Sequence, residues 1–145
     1  MIRVFALAAL TNCNPPAWSA PTCTVASGAT LAFGPVIALA STPDQTTNSG
    51  ASFWVSCNAE VTTAPKLYSA SPRIMTSGAD NLPFRLSLNA ALGTDLPASS
   101  PGEALNIARD GSNNTVPLYG RIATSDFKAL PAGSYTATIS LTLEY

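Results

Sequence analysis

The sequence predicts an all-β protein, a β-sandwich assembled from many short strands. Apolar and polar residues alternate with a period of two in several segments, which is the pattern of strands with one buried face. The 9 glycines and 12 prolines fall largely between these segments, as expected for turns. Charged residues make up only 10% of the chain, so hydroxyl and amide side chains must cover the outer faces of the sheets.

The longest alternating segment runs from Tyr135 to Tyr145. Its odd-numbered positions are apolar or aromatic, and its even-numbered positions carry threonine, serine or glutamate. The pattern predicts one strand over the whole segment, which is long for a strand. We expect its outer hydrogen-bonding edge to be covered either by an earlier strand or by another chain.

Other segments have shorter strand patterns, at 23–33, 36–39, 52–57, 66–70, 73–75, 84–89 and 116–122. Polar loops are predicted at 41–50, 95–102 and 110–114, and residues 95–109 have room for one short helical turn. Because no linker or internal repeat divides the chain, we expect a single domain.

Residues 1–19 have the features of a signal peptide. Arg3 precedes a short apolar run from Val4 to Leu10, and Ala17 and Ser19 are small residues three and one before a cut after Ser19. We therefore expect an exported domain at 20–145. A truncated or wrongly started reading frame is one alternative. A lipidated Cys13 is another, disfavoured by the asparagine before it, and no later segment has the pattern of a membrane span.

The cysteines are Cys13, Cys23 and Cys57. Cleavage after residue 19 removes the first and leaves an even number, which in an exported protein predicts a Cys23–Cys57 disulfide. Such a bridge closes a loop of about 35 residues and contributes roughly 3–4 kcal/mol in the chain-entropy treatment. Two free buried thiols in a cytosolic protein are the alternative.

Catalytic and metal-binding patterns are missing from the sequence. There is no histidine, which excludes Ser-His-Asp and Cys-His arrangements within one chain. There is no C-x-x-C zinc motif and no phosphate-binding glycine motif. The net charge of −1 provides no basic surface for nucleic acid. We therefore expect no enzyme, no cofactor, no metal site and no nucleic-acid partner.

The chain carries an ordered series of short motifs. It opens with Cys23-Thr-Val25, Leu31-Ala-Phe33-Gly34 and Phe53-Trp-Val-Ser-Cys57, continues with Arg73-Ile-Met75 and Leu82-Pro-Phe84-Arg-Leu86, and closes with Val116-Pro-Leu-Tyr-Gly-Arg-Ile122, Pro131-Ala-Gly-Ser-Tyr135 and the alternation to Tyr145. In this order and spacing the motifs resemble the spore coat protein U domain family, which builds the subunits of archaic (Csu-type) chaperone–usher pili.

The resemblance implies an immunoglobulin-like, pilin-type β-sandwich that lacks its last strand. A periplasmic chaperone, and later a neighbouring pilus subunit placed by the usher, would lend a strand beside residues 135–145, which is a form of β-augmentation. The implied acceptor groove lies between the first and last strands and is lined by Val25, Leu31, Phe33, Tyr135, Ala137, Ile139, Leu141, Leu143 and Tyr145. The resemblance also implies export through the periplasm to a pilus on the cell surface, roles in adhesion and biofilm, and contact with a surface or host receptor.

The sequence departs from the family at two places. Polymerising members carry an alternating apolar donor segment before the first cysteine, whereas a cut after Ser19 leaves only residues 20–22 there. We therefore expect a subunit that accepts a strand without lending one, which places it at the fibre tip. The alternatives are that the gene is truncated or that the segment from Thr11 to Ala20 is not removed. The family's W-G-D-G stretch has no clear counterpart, and residues 93–95 are at best a remnant.

Two alternative functions remain open at this point. One is a freestanding secreted β-sandwich that binds ligands in the manner of a lectin, and the other is a spore or cell coat protein. An exposed cluster of aromatic residues would favour the lectin, but we interpret Trp54 and Tyr68 as residues of the sandwich itself.

Overall fold

The computed structural model describes residues 19–26, 29–33, 44–46, 52–128 and 130–145. Within those ranges the chain forms short strands and one helix. Their bounds are β1 Cys23–Val25, β2 Gln45–Thr46, β3 Ser52–Cys57, β4 Lys66–Tyr68, β5 Ile74–Ser77, β6 Asp80–Pro83, β7 Arg85–Ser87, β8 Glu103–Ala104, β9 Asn114–Pro117, β10 Tyr119–Ile122, α1 Thr124–Phe127 and β11 Thr142–Glu144.

The strands pair antiparallel in several small sheets. Their orders are β1-β3-β9, β2-β10-β7 and β11-β4-β8, with β5 and β6 forming a hairpin. The inward faces share one apolar core, to which seven of these strands contribute buried side chains: β3, β4, β5, β6, β7, β9 and β10. The predicted all-β sandwich class is therefore confirmed.

Strand β3 is the centre of its sheet and follows the predicted alternation. Phe53, Val55 and Cys57 are buried, while Trp54 points to the opposite face and is half exposed. β3 pairs with β1 on one side and with β9 on the other. Trp54 thus lies on the sandwich as predicted, but its side chain is on the outer surface and adds nothing to the core.

The segment 116–122, predicted as one strand, is divided between two sheets. β9 pairs with β3, whereas β10 pairs with β7 and β2. Pro117 ends β9, and a proline has no N–H to continue a ladder. Leu118, which follows it, is buried in the core where the chain passes from one sheet to the other.

Several short elements escape the sequence patterns. β2 lies in the predicted loop 41–50 and pairs with β10, β8 pairs with β4, and residues 95–109 hold no helix. β6 completes a hairpin with β5 across Gly78, whose φ of 61° is a conformation that favours glycine. The predicted strand at 36–39 lies outside the described residues. Among the described residues of the predicted strand 23–33, only β1 forms a ladder.

The predicted disulfide joins β1 to β3. Cys23 and Cys57 are directly opposed in the ladder, with their Cα atoms 4.1 Å apart. Asn58 extends this pairing beyond the bridge, since its main-chain N–H donates to the carbonyl of Thr22 at 3.0 Å. The amide side chain of Asn58 accepts from the Thr22 N–H at 3.0 Å and donates to the carbonyl of Ala20 at 2.8 Å. The start of β1 is therefore held by both covalent and hydrogen bonds.

The disulfide should be closed in the exported protein and should support its stability. Cys57→Ser is expected to lower the free energy of unfolding by about 2–5 kcal/mol, the usual cost of losing a native bridge from a small secreted domain. Urea unfolding measures this loss. Mass-spectrometric mapping after thiol labelling should find Cys23 and Cys57 unmodified until a reductant is added, and modification of either without reductant would contradict the bridge.

Asp44 links the segment of β2 to the start of α1. Its Oδ1 accepts from the Thr124 N–H at 2.9 Å and from the Thr124 hydroxyl at 3.0 Å, and Arg121 lies 3.9 Å from Oδ2. The Thr124 hydrogen bonds, with a smaller effect of Arg121, lower the pKa of the Asp44 carboxyl below its ordinary 3.8. The ionised form is therefore the one that the folded state prefers.

The lowered pKa of Asp44 makes the free energy of unfolding depend on pH. Because the pKa of Asp44 is lower in the folded state, its contribution to stability is complete above the ordinary value of 3.8 and is lost as the pH falls through the lowered value. Asp44→Asn should therefore make the free energy of unfolding less dependent on pH in the acid range, as followed by urea titrations at stepwise lower pH. A variant with the wild-type dependence on pH would contradict this account of Asp44.

Candidate functional site

An apolar groove lies between residues 25–33 and residues 130–141. It consists of two adjacent cavities of about 470 and 530 Å³, which share Leu31, Phe33, Met75 and Tyr135 in their walls. We call this pair of cavities the groove. Every described side chain in its lining is uncharged, so the groove suits an apolar occupant.

The two walls of the groove run in opposite directions. Val25 and Leu141 line the smaller cavity, whereas Phe33 and Tyr135 mark the boundary with the larger one. Moving along the groove from Val25 towards Phe33 therefore means moving from Leu141 back towards Tyr135. The floor between the walls belongs to the core, from which these side chains reach the groove: Phe53, Met75, Phe84, Leu86 and Leu118.

Val25 shows that one wall has an open side among the residues that the structure describes. It is directly opposite Val55 in the β1–β3 ladder and shares its inward face. Val55 is fully buried, yet Val25 is 49% exposed. An inward-facing valine with that exposure lies at the open rim of the core, beside the groove.

The other wall is the C-terminal segment, and here the predicted strand 135–145 is corrected. Only β11, at its end, forms a ladder, and Thr136 forms an isolated bridge with Thr76. Tyr68 and Thr76 are eight positions apart, but their partners Thr142 and Thr136 are only six apart. The segment 68–76 therefore has two more residues between the two contacts than the segment 136–142 has, and a continuous ladder cannot form across them.

The main chain of this wall has no hydrogen-bond partner on the groove side among the residues that the structure describes. Thr136 and Ser140 direct their N–H and C=O groups towards the residues before and within β5. Successive residues of an extended chain direct these groups to opposite edges, so Ala137, Ile139 and Leu141 direct theirs towards the groove. Among the residues that the structure describes, none bonds to the main-chain groups of Ala137, Ile139 or Leu141. A row of free donors and acceptors therefore borders the apolar groove.

Most of the residues predicted for the acceptor groove line it. They are Val25, Leu31, Phe33, Tyr135, Ala137, Ile139 and Leu141. Leu143 does not, because it lies in β11 opposite Leu67 and packs against the core. Tyr145 also lies outside the lining and is more than half exposed. In the C-terminal segment, the odd-numbered residues from Tyr135 to Leu141 therefore line the groove, and those after Leu141 do not.

The floor and the far end of the groove were beyond sequence reasoning. Phe84 packs edge-on against Phe33 with ring centroids 6.2 Å apart. Gly120 makes room for that ring, since a Cβ there would lie 2.7 Å from Phe33 Cζ. The sequence presents Met75 and Phe84 only as members of short strand motifs, and the spatial order of the strands shows that they face this groove.

Tyr135 stands at the junction of the two cavities and closes the preceding turn. Its hydroxyl donates to the carbonyl of Pro131 at 3.0 Å, four residues upstream. Burial, with a smaller effect of Asp80, raises the pKa of Tyr135 above its ordinary 10.0. The phenol therefore remains a hydrogen-bond donor at neutral pH and keeps residues 131–135 folded against the start of the wall.

Two other kinds of functional feature, a metal site and a membrane-spanning helix, are missing from the described ranges. No group of three or more histidine, cysteine, aspartate or glutamate side chains within the described ranges is placed to hold a metal ion. No helix in those ranges is long and apolar enough to cross a membrane.

A family model of the Spore Coat Protein U domain matches residues 8–142. The match covers nearly the whole chain and includes both walls of the groove. It begins inside the predicted signal peptide 1–19, whose end and cleavage remain predictions because residues 1–18 lie outside the described part of the chain. A comparison with curated proteins finds no match.

The geometry of the wall makes adjacent residues respond differently to the same change. Ile139→Asp places a charge in the apolar groove and should lower the free energy of unfolding by about 2 kcal/mol or more. Thr138→Asp is the matched control, because Thr138 is exposed and outside the groove lining, and its effect should be much smaller. Urea unfolding of the two oxidised variants makes the comparison. Equal losses would mean that the assigned faces of the segment are wrong.

Proposed function

The chain belongs to the Spore Coat Protein U domain family, and from that premise we propose that it is an exported structural or adhesive subunit of a chaperone–usher pilus. In this proposal the groove accepts a β-strand from another protein. The first lender is a periplasmic chaperone, and the second is a neighbouring subunit that the usher brings into place. The assembled fibre is displayed on the cell surface, where it serves adhesion and biofilm formation.

One observation carries the proposal: within the described part of the chain, the main-chain groups of Ala137, Ile139 and Leu141 have no partner, and they border an open apolar groove. An added strand would satisfy the main-chain groups and cover the apolar groove at the same time. Its backbone pairs with the free N–H and C=O groups, and every second side chain enters the groove. The exposed inward face of Val25 would then be covered from the other side.

A strand fits this groove better than a compact ligand does. Each cavity falls in the volume range of small-molecule pockets. However, the described lining holds neither a charged side chain nor a metal cluster with which to fix a small polar molecule. What it holds is a row of main-chain groups, and those groups recognise another main chain.

Strand addition can be tested with a synthetic peptide of about ten alternating valine and threonine residues with lysines at both ends, a length typical of strands. The peptide should raise the urea midpoint of the oxidised chain, by an amount equivalent to about 2.7 kcal/mol at a hundred times its Kd. A peptide with aspartate in place of each valine is the control and should have no effect. A chain that is stable alone and unaffected by either peptide would favour a freestanding, lectin-like domain.

The cellular form of the test uses the chaperone encoded with the fibre. Co-purification should recover wild type and Thr138→Asp bound to the chaperone, whereas Ile139→Asp should escape capture and be degraded in the periplasm. The reason is that Ile139 lines the groove that the lent strand must fill, whereas Thr138 does not. Equal capture of both variants would contradict a groove at this face.

A further inference from the structure

The C-terminal wall, residues 135–145, is attached in three different ways to its inner neighbour, the segment 66–77 that contains β4 and β5. Near its start, Thr136 and Thr76 exchange two main-chain hydrogen bonds of 2.9 and 3.1 Å. At its end, β11 pairs with β4. Between these ladders the attachment uses side chains, because the Ser69 hydroxyl donates to the carbonyl of Ser140 at 2.8 Å and the N–H of Ser140 donates to Ser71 Oγ at 3.0 Å.

These side chains are needed because the inner neighbour turns away at this point. The main-chain N–H of Ser69 donates to the carbonyl of Pro97 at 3.0 Å, on the opposite side from the wall. Pro72 has no N–H to offer. The guanidinium of Arg73 bonds to the carbonyls of Leu96 and Pro97, which ties the same stretch to a distant loop. The main chain of residues 69–73 is thereby drawn away, and two hydroxyls take its place.

The two-residue difference in register has to be absorbed in this stretch. The bridge at Thr136 and the ladder at Thr142 cannot extend towards each other in one register. Without further bonds, residues 137–141 would have no hydrogen-bonded attachment to the segment behind them. Holding both polar groups of Ser140 sets the rotation of the segment there. In an extended chain, that rotation directs the N–H and C=O groups of the two neighbouring residues to the other edge.

We propose that Ser69 and Ser71 are positioning residues, which act through Ser140 to present the main chain of Ile139 and Leu141 to an added strand. This inference rests on the proposed function and deepens it. Ser69 is fully buried, so its hydroxyl has no water to replace Ser140. The acceptor edge is thus preorganised by hydroxyl groups at the one place where the sheet cannot do so.

The test uses the oxidised full chain bound to the alternating valine–threonine peptide. Ser71→Ala and Ser69→Ala should each speed dissociation of the peptide by about three- to tenfold, the effect of one hydrogen bond. In the same complexes, amide hydrogen exchange by NMR should accelerate at Ile139 and Leu141 but stay unchanged at Thr136. Ser71→Thr keeps the hydroxyl and should restore both measurements, and Ser99→Ala, in an exposed loop, is the neutral control.

The outcomes separate the two proposals. Wild-type chain that binds no peptide overturns the proposed function and this inference with it. Wild-type binding, together with unchanged dissociation and exchange in both alanine variants, overturns this inference alone. Faster exchange spread evenly from Thr136 to β11 would also overturn it, because it would show that the serines merely stabilise the fold.

Discussion

Main-chain hydrogen bonding at one edge is the constraint around which this molecule is organised. Donors and acceptors beside an apolar surface need partners, and those of residues 137–141 find none on the groove side among the described residues. The inward side chains along both walls are only partly buried for the same reason, because the strand that would satisfy the main chain would also cover them. The open edge and the open core are thus one physical feature.

Each wall of the groove is fixed by bonds to other parts of the sandwich. The Cys23–Cys57 bridge and the Asn58 amide hold the first wall against β3. The hydroxyl of Tyr135 fixes the turn that starts the second wall, and β11 anchors its end against β4. The disulfide, the Asn58 hydrogen bonds and the β11–β4 ladder all lie outside the groove lining, so a strand could enter without breaking them.

Sequence patterns were most informative where one strand kept one face buried along its whole length. In β3 the alternation of Phe53, Val55 and Cys57 with polar or exposed positions was realised without change. The patterns were least informative where pairing changed along a segment. Residues 116–122 alternate as one strand, yet Pro117 ends one ladder and the next begins in another sheet. Very short strands such as β2 have too few residues to show a period at all.

By itself the sequence determined the all-β class, the disulfide, the family resemblance and the faces of the residues that line both walls, because periodicity and cysteine number are local properties of the chain. Only the tertiary structure decided which of those faces meet, where the groove ends and why the last segment is not one continuous strand. Those outcomes depend on contacts between distant residues, such as Ser71 and Ser140, which lie 69 positions apart. Hydrogen-bond partners at that separation are set by the register of whole sheets, and no local pattern carries that information.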